Sequence, residues 1–580
     1  VLAYIANNES QKALQIGIPF IRQLGVKLSA KPGRGPVLRA LIQVKLVLLG
    51  KAVDELATLP EMTNPQLLAA SQLMSTIGPA AYITSAELFA ELVLKYVHLT
   101  VTQGCLDESA GTFSAYGVIL CGILNDIEQG YQFGQLGMNY LDRFPGNKIK
   151  PRATLVFNGL IRHWKEPYRT ALEPLLEGYQ FGLEIGDLEY SGLCIQNYCA
   201  SAYFASLELN QLNSEFKHYG HILSRRLGQV SAHLLHRLYH QTILNLVEPV
   251  SNPWVLDGDA FREADLLPQF HETNNRNGLF NFYSCKMRLA YLFQNYSEAT
   301  ESAKKAEAFI DGGTSTIVVS NFYFYNALIH LAWFRQVSPQ EQKKILKLVK
   351  VSQKKIKAWA RHAPMNQLHR FYLIEAERYR ISGNQGAARE AYDQAISLAQ
   401  QHEFIDHEAL AYELAGQFYL EIGSTHFANL CLQNARYRYQ LWGATAKVQN
   451  LDIRYPNLLI QQEASQPKLF ATTVTQSSTQ RPTTRSSIRN QAANSLDLMS
   501  VIKASQAISG EIVQEKLLAT LMKILIENAG AEKGYLIFEK VGSWSIEAMG
   551  TVEDGEILIN RVETTTADTL PLTVINYVAR

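Results

Sequence analysis

From residue 1 to about 462 the apolar residues recur at three- and four-residue spacing, with almost no alternating stretch of the kind a strand requires. So long a helical run without strands raises the question of an internal repeat. The clearest pair of units lies at 371–440. Gly383, Ala388, Ala391 and Ala395 are followed 40 residues later by Gly423, Ala428, Cys431 and Ala435. Tyr379 and Tyr392 in the first unit, and Phe418 and Leu432 in the second, supply the bulk between them. Two antiparallel helices joined by a tight turn need a flexible residue at the turn, which glycine supplies. The second helix then needs small residues where backbones approach, which the alanines supply. This is a tetratricopeptide-like helix pair, with a period somewhat longer than the usual ~34 residues.

The same template fits Ala290, Phe293, Asn295, Tyr296, Ala299, Ala303 and Ala306. It fits again at 119–138, where Asn125, Asp126 and Ile127 form the turn and Gly130, Gly134 and Gly137 take the close-packing positions. Ser338-Pro339-Gln340-Glu341 is a capping box with proline at the first helical position. The helix it opens carries Lys343, Lys344, Lys347, Lys350, Lys354, Lys355, Lys357 and Arg361, with Ile345, Leu348, Val349, Ile356 and Trp359 as its apolar side. Such a helix is expected to be the solvated outer face of a repeat, and an acidic partner or nucleic acid is the alternative.

Residues 463–495 change character. They are rich in Ser, Thr and Gln, contain Pro467 and Pro482, and read as a flexible linker with too little apolar content to pack. Amphipathic helices are then expected at 498–508 and 513–529, and strands at 534–538, 544–549 and 556–562. A further helix is expected after Pro571. Helix, hairpin, strand and helix make the opening half of an α+β domain.

The 54 basic residues against 53 acidic ones leave a formal charge of +1, which argues against a dedicated nucleic-acid or membrane-surface protein. Six cysteines (Cys105, Cys121, Cys194, Cys199, Cys285 and Cys431) without a CxxC pair suggest neither a disulfide framework nor a zinc site, and are expected to be buried thiols in a reducing cytoplasm. No signal peptide is apparent, and the most apolar early stretch, 37–53, is interrupted by Arg39, Lys45 and Lys51. No uninterrupted apolar run approaches the ~18–20 residues of a membrane span, so a soluble, cytoplasmic chain is expected. Val1 in place of methionine and the apolar helical pattern running into Arg580 suggest a fragment.

Several stretches resemble a known family. LDLMSVIKASQAIS at 496–509, EKLL at 515–518 and NAGA at 528–531 are similar to the start of a GAF sensor domain, and LTVINYV at 572–578 to a helix in its middle. IGPAAY at 77–82, YGVILCG at 116–122 and GYQFGQL at 130–136 resemble the helical region of large bacterial multi-sensor signal-transduction kinases. In that family the order is Ser/Thr protein kinase, AAA-type ATPase, helical repeats, GAF and histidine kinase. The resemblance therefore implies a mainly α chain: a tetratricopeptide-like solenoid over 1–462, the linker over 463–495 and the N-terminal part of a GAF domain over 496–580. It implies protein partners on the repeats, kinase and ATPase domains in cis, a homodimer through the GAF region, ATP in the full-length protein and a small-molecule GAF ligand of unknown identity. A regulatory segment of a kinase follows from that order, and a transcription regulator joining an ATPase to helical repeats is the alternative. Membrane attachment and nucleic-acid binding are not implied.

No catalytic, cofactor-binding or metal residue is assigned. Gly33-Arg34-Gly35-Pro36 lacks the lysine and hydroxyl of a phosphate loop, and HRD, DFG and histidine phosphoacceptor motifs are missing. His233, His236 and His240 share a helix face at metal-ligand spacing, but without an HExxH carboxylate they read as ordinary helix histidines. Cys194 and Cys199 share no face well, so a redox pair is not expected. Leu256-Asp257-Gly258-Asp259 opens like a calcium loop but lacks its closing glutamate, and reads as a turn. The tyrosines of 198–203 are expected in the core.

Overall fold

The computed structural model describes residues 1–7, 9–143, 148–456, 533–540, 543–553 and 556–560. By its internal contacts the chain divides into two units, Val1–Pro467 and Lys468–Arg580. The chain is mainly α-helical, as its apolar periodicity requires.

One local device builds most of the first unit. A helix closes on a residue in the left-handed region, and the next residue caps the helix that follows. Among the described residues from 380 to 456 the left-handed ones are Gly383, Glu403, Gly423 and Gly443, at twenty-residue intervals. Their turns share one hydrogen-bond pattern: Asn384 N–H donates to Tyr379 O at 3.1 Å, Phe404 N–H to Ala399 O at 2.9 Å, Ser424 N–H to Tyr419 O at 2.8 Å and Ala444 N–H to Tyr439 O at 2.9 Å. This six-to-one bond satisfies a carbonyl that the helix end would leave unpaired. Gly186, Ser206, Asn274 and Gln294 repeat the device upstream. Asn384, Asn295, Asn275 and Asp187 then accept a backbone N–H of the following helix. A helix of some 17 residues plus this turn accounts for the 40-residue period of a pair.

Pro364–Ser382 packs on Gln385–Gln401, and Ile405–Glu421 on Thr425–Trp442. The expected small residues lie in these interfaces: Ala388, Ala391, Ala395, Ala428 and Ala435 are buried, and Tyr392 meets Phe418 with ring centroids 5.5 Å apart. At Cys431 the register differs from expectation. That side chain is half-buried, and its neighbour Leu432 fills the interface. Upstream, a Cβ on Gly130 would stand 2.3 Å from Cys121 Sγ and 2.9 Å from Gly117 O, so Ser109–Gly122 and Ile127–Asn139 approach as closely as their glycines permit.

The array does not stay one-dimensional, as an extended solenoid would. Tyr82 Oη donates to Thr314 O at 2.8 Å, Asn274 Nδ2 to Thr84 O at 3.3 Å, Trp359 Nε1 to Asn125 Oδ1 at 2.9 Å and Asn366 Nδ2 to His163 O at 2.9 Å. These partners lie 190 to 234 residues apart in sequence. One circuit of the helices thus takes about 200 residues, and the first circuit is buried against the second. Helix Ile317–Trp333 is buried over most of its length. Among the described residues, Ile317–Gln336 is long and apolar enough by length and composition to cross a membrane, although Ser320, Asn321, Asn326 and His330 interrupt its apolar run, and 67% of its most apolar window is buried among other helices.

In the second unit, strands β1 (Lys533–Lys540), β2 (Ser543–Glu553) and β3 (Glu556–Asn560) form an antiparallel meander in that order. β1 pairs Lys533 with Thr551 and Lys540 with Ser543, with one register shift between Leu536 and Ile537. The hairpin and third strand fall where expected. The helices expected at 498–508, at 513–529 and after Pro571 lie outside the described residues.

Candidate functional site

Eight helices converge on a chamber of about 200 Å³. They are Pro65–Thr84, Ala86–Gln103, Ser109–Gly122, Lys150–Leu160, Leu188–Phe204, Val230–Val247, Arg276–Leu292 and Ile317–Trp333. Met74, Phe89, Val118, Leu155, Phe204 and Leu235 make much of its wall apolar. The charged member of the wall is Arg152. Its Nη1 donates to Ser75 Oγ and its Nη2 to Ser75 O, both at 2.5 Å. The guanidinium lies 5.3 Å from the Tyr190 ring centroid. Among the described residues no carboxylate comes within 4.0 Å of it. Elsewhere in the wall, Tyr239 Oη donates to Asn281 Oδ1.

A second centre is buried where the two circuits meet. Arg288 Nη2 pairs with Asp406 Oδ2 at 2.7 Å, and both side chains are about 95% buried. Ser206 Oγ and His407 N–H donate to Asp406 Oδ1. The Arg288 guanidinium lies 4.6 Å from the Tyr203 ring and 5.6 Å from those of Tyr325 and Trp442, an aromatic box around a cation. Among the described residues Arg370 has no carboxylate partner: Nη1 donates to Ser320 Oγ at 2.9 Å and to Tyr168 Oη at 3.3 Å, and Nε and Nη2 have no hydrogen-bond partner. His369 Nε2 and His407 Nδ1 share a hydrogen bond at 2.8 Å. Burial first, and then neighbouring cations, hold both imidazoles well below their usual pKa, so the pair is neutral. Nearby, buried Lys447 pairs with Glu413 at 2.9 Å, and Tyr439 Oη donates to the same carboxylate.

The structure brings together two sets of residues that are separate in sequence. His233, His236 and His240 line one polar pocket with Asp257, Gly258 and Asp259. The rings do not converge. His236 Nε2 bonds Phe216 O at 2.8 Å, and His240 Nε2 bonds Asn213 Oδ1 at 2.8 Å. Burial lowers their pKa values to about 3 and about 4. Asp257–Arg262 forms a turn, with Gly258 N–H donating to Phe261 O at 2.9 Å. No group of three His, Cys, Asp or Glu suited to a metal ion occurs among the described residues. Cys194 and Cys199 are both buried, and burial raises both thiols. Tyr198 and Tyr203 lie in the core, Tyr198 Oη donating to Glu215.

Half of the expected capping box forms: Glu341 N–H donates to Ser338 Oγ at 3.4 Å at the start of the helix Pro339–Ala360, but the Glu341 carboxylate accepts from the Ser338 hydroxyl at 3.3 Å instead of the Ser338 backbone N–H. Lys343, Lys347, Lys350, Lys354, Lys357 and Arg361 form one exposed stripe. At 1.5 Å per residue it is about 27 Å long. Among the described residues no carboxylate lies within 4.0 Å of any of the six. Arg152, Arg288, Arg370 and Asp406 carried no recognised signal in the sequence. The trace they leave is a charge inside an aromatic run, as in the Phe280–Phe293 and His369–Tyr372 stretches.

No family model matches the chain. Over 165 residues it is 24% identical to hybrid signal transduction histidine kinase G of Dictyostelium discoideum, a match covering 27% of this chain. The chain spans about 5% of the length of that protein.

Proposed function

We propose that this chain is a regulatory and sensory segment of a cytoplasmic multidomain signal-transduction kinase. The observation that carries the reading is the similarity to a hybrid signal-transduction histidine kinase. In this reading the helical body, 1–462, is a tetratricopeptide-like repeat region that receives protein partners and couples to an ATPase in cis. Residues 463–495 link it to a GAF domain beginning at 496, for which the β1–β2–β3 meander is supporting evidence. The GAF region dimerises and relays a signal, with or without a small ligand, and the chemistry resides in ATP-dependent kinase domains elsewhere in the polypeptide. Phosphate transfer from radiolabelled ATP, measured on the polypeptide encoded by the complete reading frame with and without this segment, tests the reading. A change in rate of at least tenfold is expected on deletion. An unchanged rate, or a reading frame without a kinase, sinks it.

The lysine stripe on Pro339–Ala360 favours a second reading, a transcription regulator in which that face meets nucleic-acid phosphates. Duplex DNA binding that weakens steeply between about 50 and 200 mM salt supports it, and absence of binding at the lower salt removes it.

A further inference from the structure

Close-packed interiors hold few voids larger than a water molecule. The chamber, about 200 Å³ and partly open to solvent, is far larger than such a void. Water fills such a space only where several polar partners surround it, whereas an apolar space of about 150 Å³ stays dry and accepts a benzene ring. Here most of the wall is hydrocarbon, so an apolar guest entering the partly open chamber displaces water that finds few polar partners there.

Arg152 gives the chamber a polar end. Helices Pro65–Thr84 and Ser109–Gly122 carry glycine where the arginine lies against them. A Cβ on Gly78 would stand 3.0 Å from Nη2, and one on Gly111 3.4 Å from Cδ. The side chain is therefore seated in a fitted slot, and Ser75 fixes the direction of its guanidinium. Two donors are engaged by Ser75, out of the five that a guanidinium offers. Glu108, Asp187 and Glu189 are close enough to sense its charge, and burial raises the pKa of each. With the charge partly balanced from a distance, Arg152 is suited to hold an acceptor oxygen without requiring a full anion.

We propose that the chamber is a receptor site for a small apolar molecule bearing one hydrogen-bond acceptor. Arg152 holds the acceptor, and the hydrocarbon wall around Met74, Phe89, Leu155 and Phe204 packs against the body. A ring with a short oxygen-bearing arm matches the volume. Because the eight lining helices come from both circuits of the array, occupancy ties residues near 80 to residues near 317. The inference rests on the chamber and not on the kinase likeness, so binding by a segment whose deletion leaves kinase rate unchanged would sink the proposed function alone.

Titration calorimetry and thermal melts of the 580-residue chain test it, with phenylacetamide, phenylacetate and ethylbenzene as probes. The two oxygen-bearing probes are expected to bind saturably and raise the melting temperature, and ethylbenzene to bind at least tenfold more weakly. Arg152→Leu should bring the three probes to equal affinity, and Arg152→Lys should keep part of the preference. Ala200→Phe, or the milder Ala115→Leu, fills the chamber and should abolish binding of all three while the chain still melts cooperatively. If Arg152→Leu fails to fold, Arg152→Lys and Ala115→Leu carry the test. Failure of every probe to bind, equal affinity for all three in the unaltered chain, or binding that survives both chamber-filling variants overturns the proposal.

Discussion

At the residue scale the decisive features are charges with nowhere to go. Arg288 and Asp406 neutralise each other within an aromatic box, so removing either leaves the other buried and uncompensated. Asp406→Ala is expected to destabilise the helical body by about 3–5 kcal/mol in urea denaturation. The double variant Arg288→Met, Asp406→Leu should recover much of that loss, because an apolar pair removes the desolvation cost as well as the attraction. The histidines set a pH dependence. His163 and His236 are lowered to about 3, His240 to about 4, and His369 and His407 well below the usual value, all primarily by burial. A base with a depressed native pKa stays neutral in the fold but takes a proton once unfolded. Their contribution is therefore fully present above about pH 6.5 and is lost as pH falls below it, by up to about 1.4 kcal/mol per histidine per pH unit. Urea midpoints should drop steeply from pH 7 to pH 5. The double variant His369→Phe, His407→Phe should flatten that drop by about two protons' worth.

At the element scale the twenty-residue turn governs. Gly423 has φ +76 with open space around it, whereas Gly386 sits in the first turn of a helix with an ordinary φ and equally open space. Adding a methyl group therefore has opposite effects at the two sites. Gly423→Ala should cost about 1 kcal/mol through backbone strain, and Gly386→Ala should add about 0.5 kcal/mol through a less flexible unfolded chain. Paired thermal melts check both signs. The turn also shows how far the sequence could be read. Gly383 and Gly423 signalled it, because glycine is the residue suited to a left-handed position. Glu403 occupies the same position at φ 59, and nothing in its type announces that. Its place is enforced by the Phe404-to-Ala399 hydrogen bond and by Arg169, whose Nη2 donates to its carbonyl at 3.1 Å.

At the scale of the whole helical body, contacts across about 200 residues replace nearest-neighbour stacking. Thr445–Arg454 packs on Val230–Val247, and Lys447 Nζ donates to Leu292 O. Cutting the chain after Gly423 should therefore speed hydrogen exchange in the 230–247 helix, far from the cut in sequence. In an extended array, protection would fall only in the helices next to the cut. Mass-spectrometric exchange on the full and shortened chains separates the two cases.

Local spacing in the sequence determined the helical class, the 40-residue pairing, the Ser338 N-cap and the β1–β2–β3 meander, because each depends on side-chain periodicity or turn chemistry within a few tens of residues. Only the tertiary structure decided that the array closes on itself, that Arg288 meets Asp406 across 118 residues, and that Arg152 faces an apolar chamber. Those outcomes depend on the small rotation between successive helix pairs, accumulated over about 200 residues. No single motif encodes that sum.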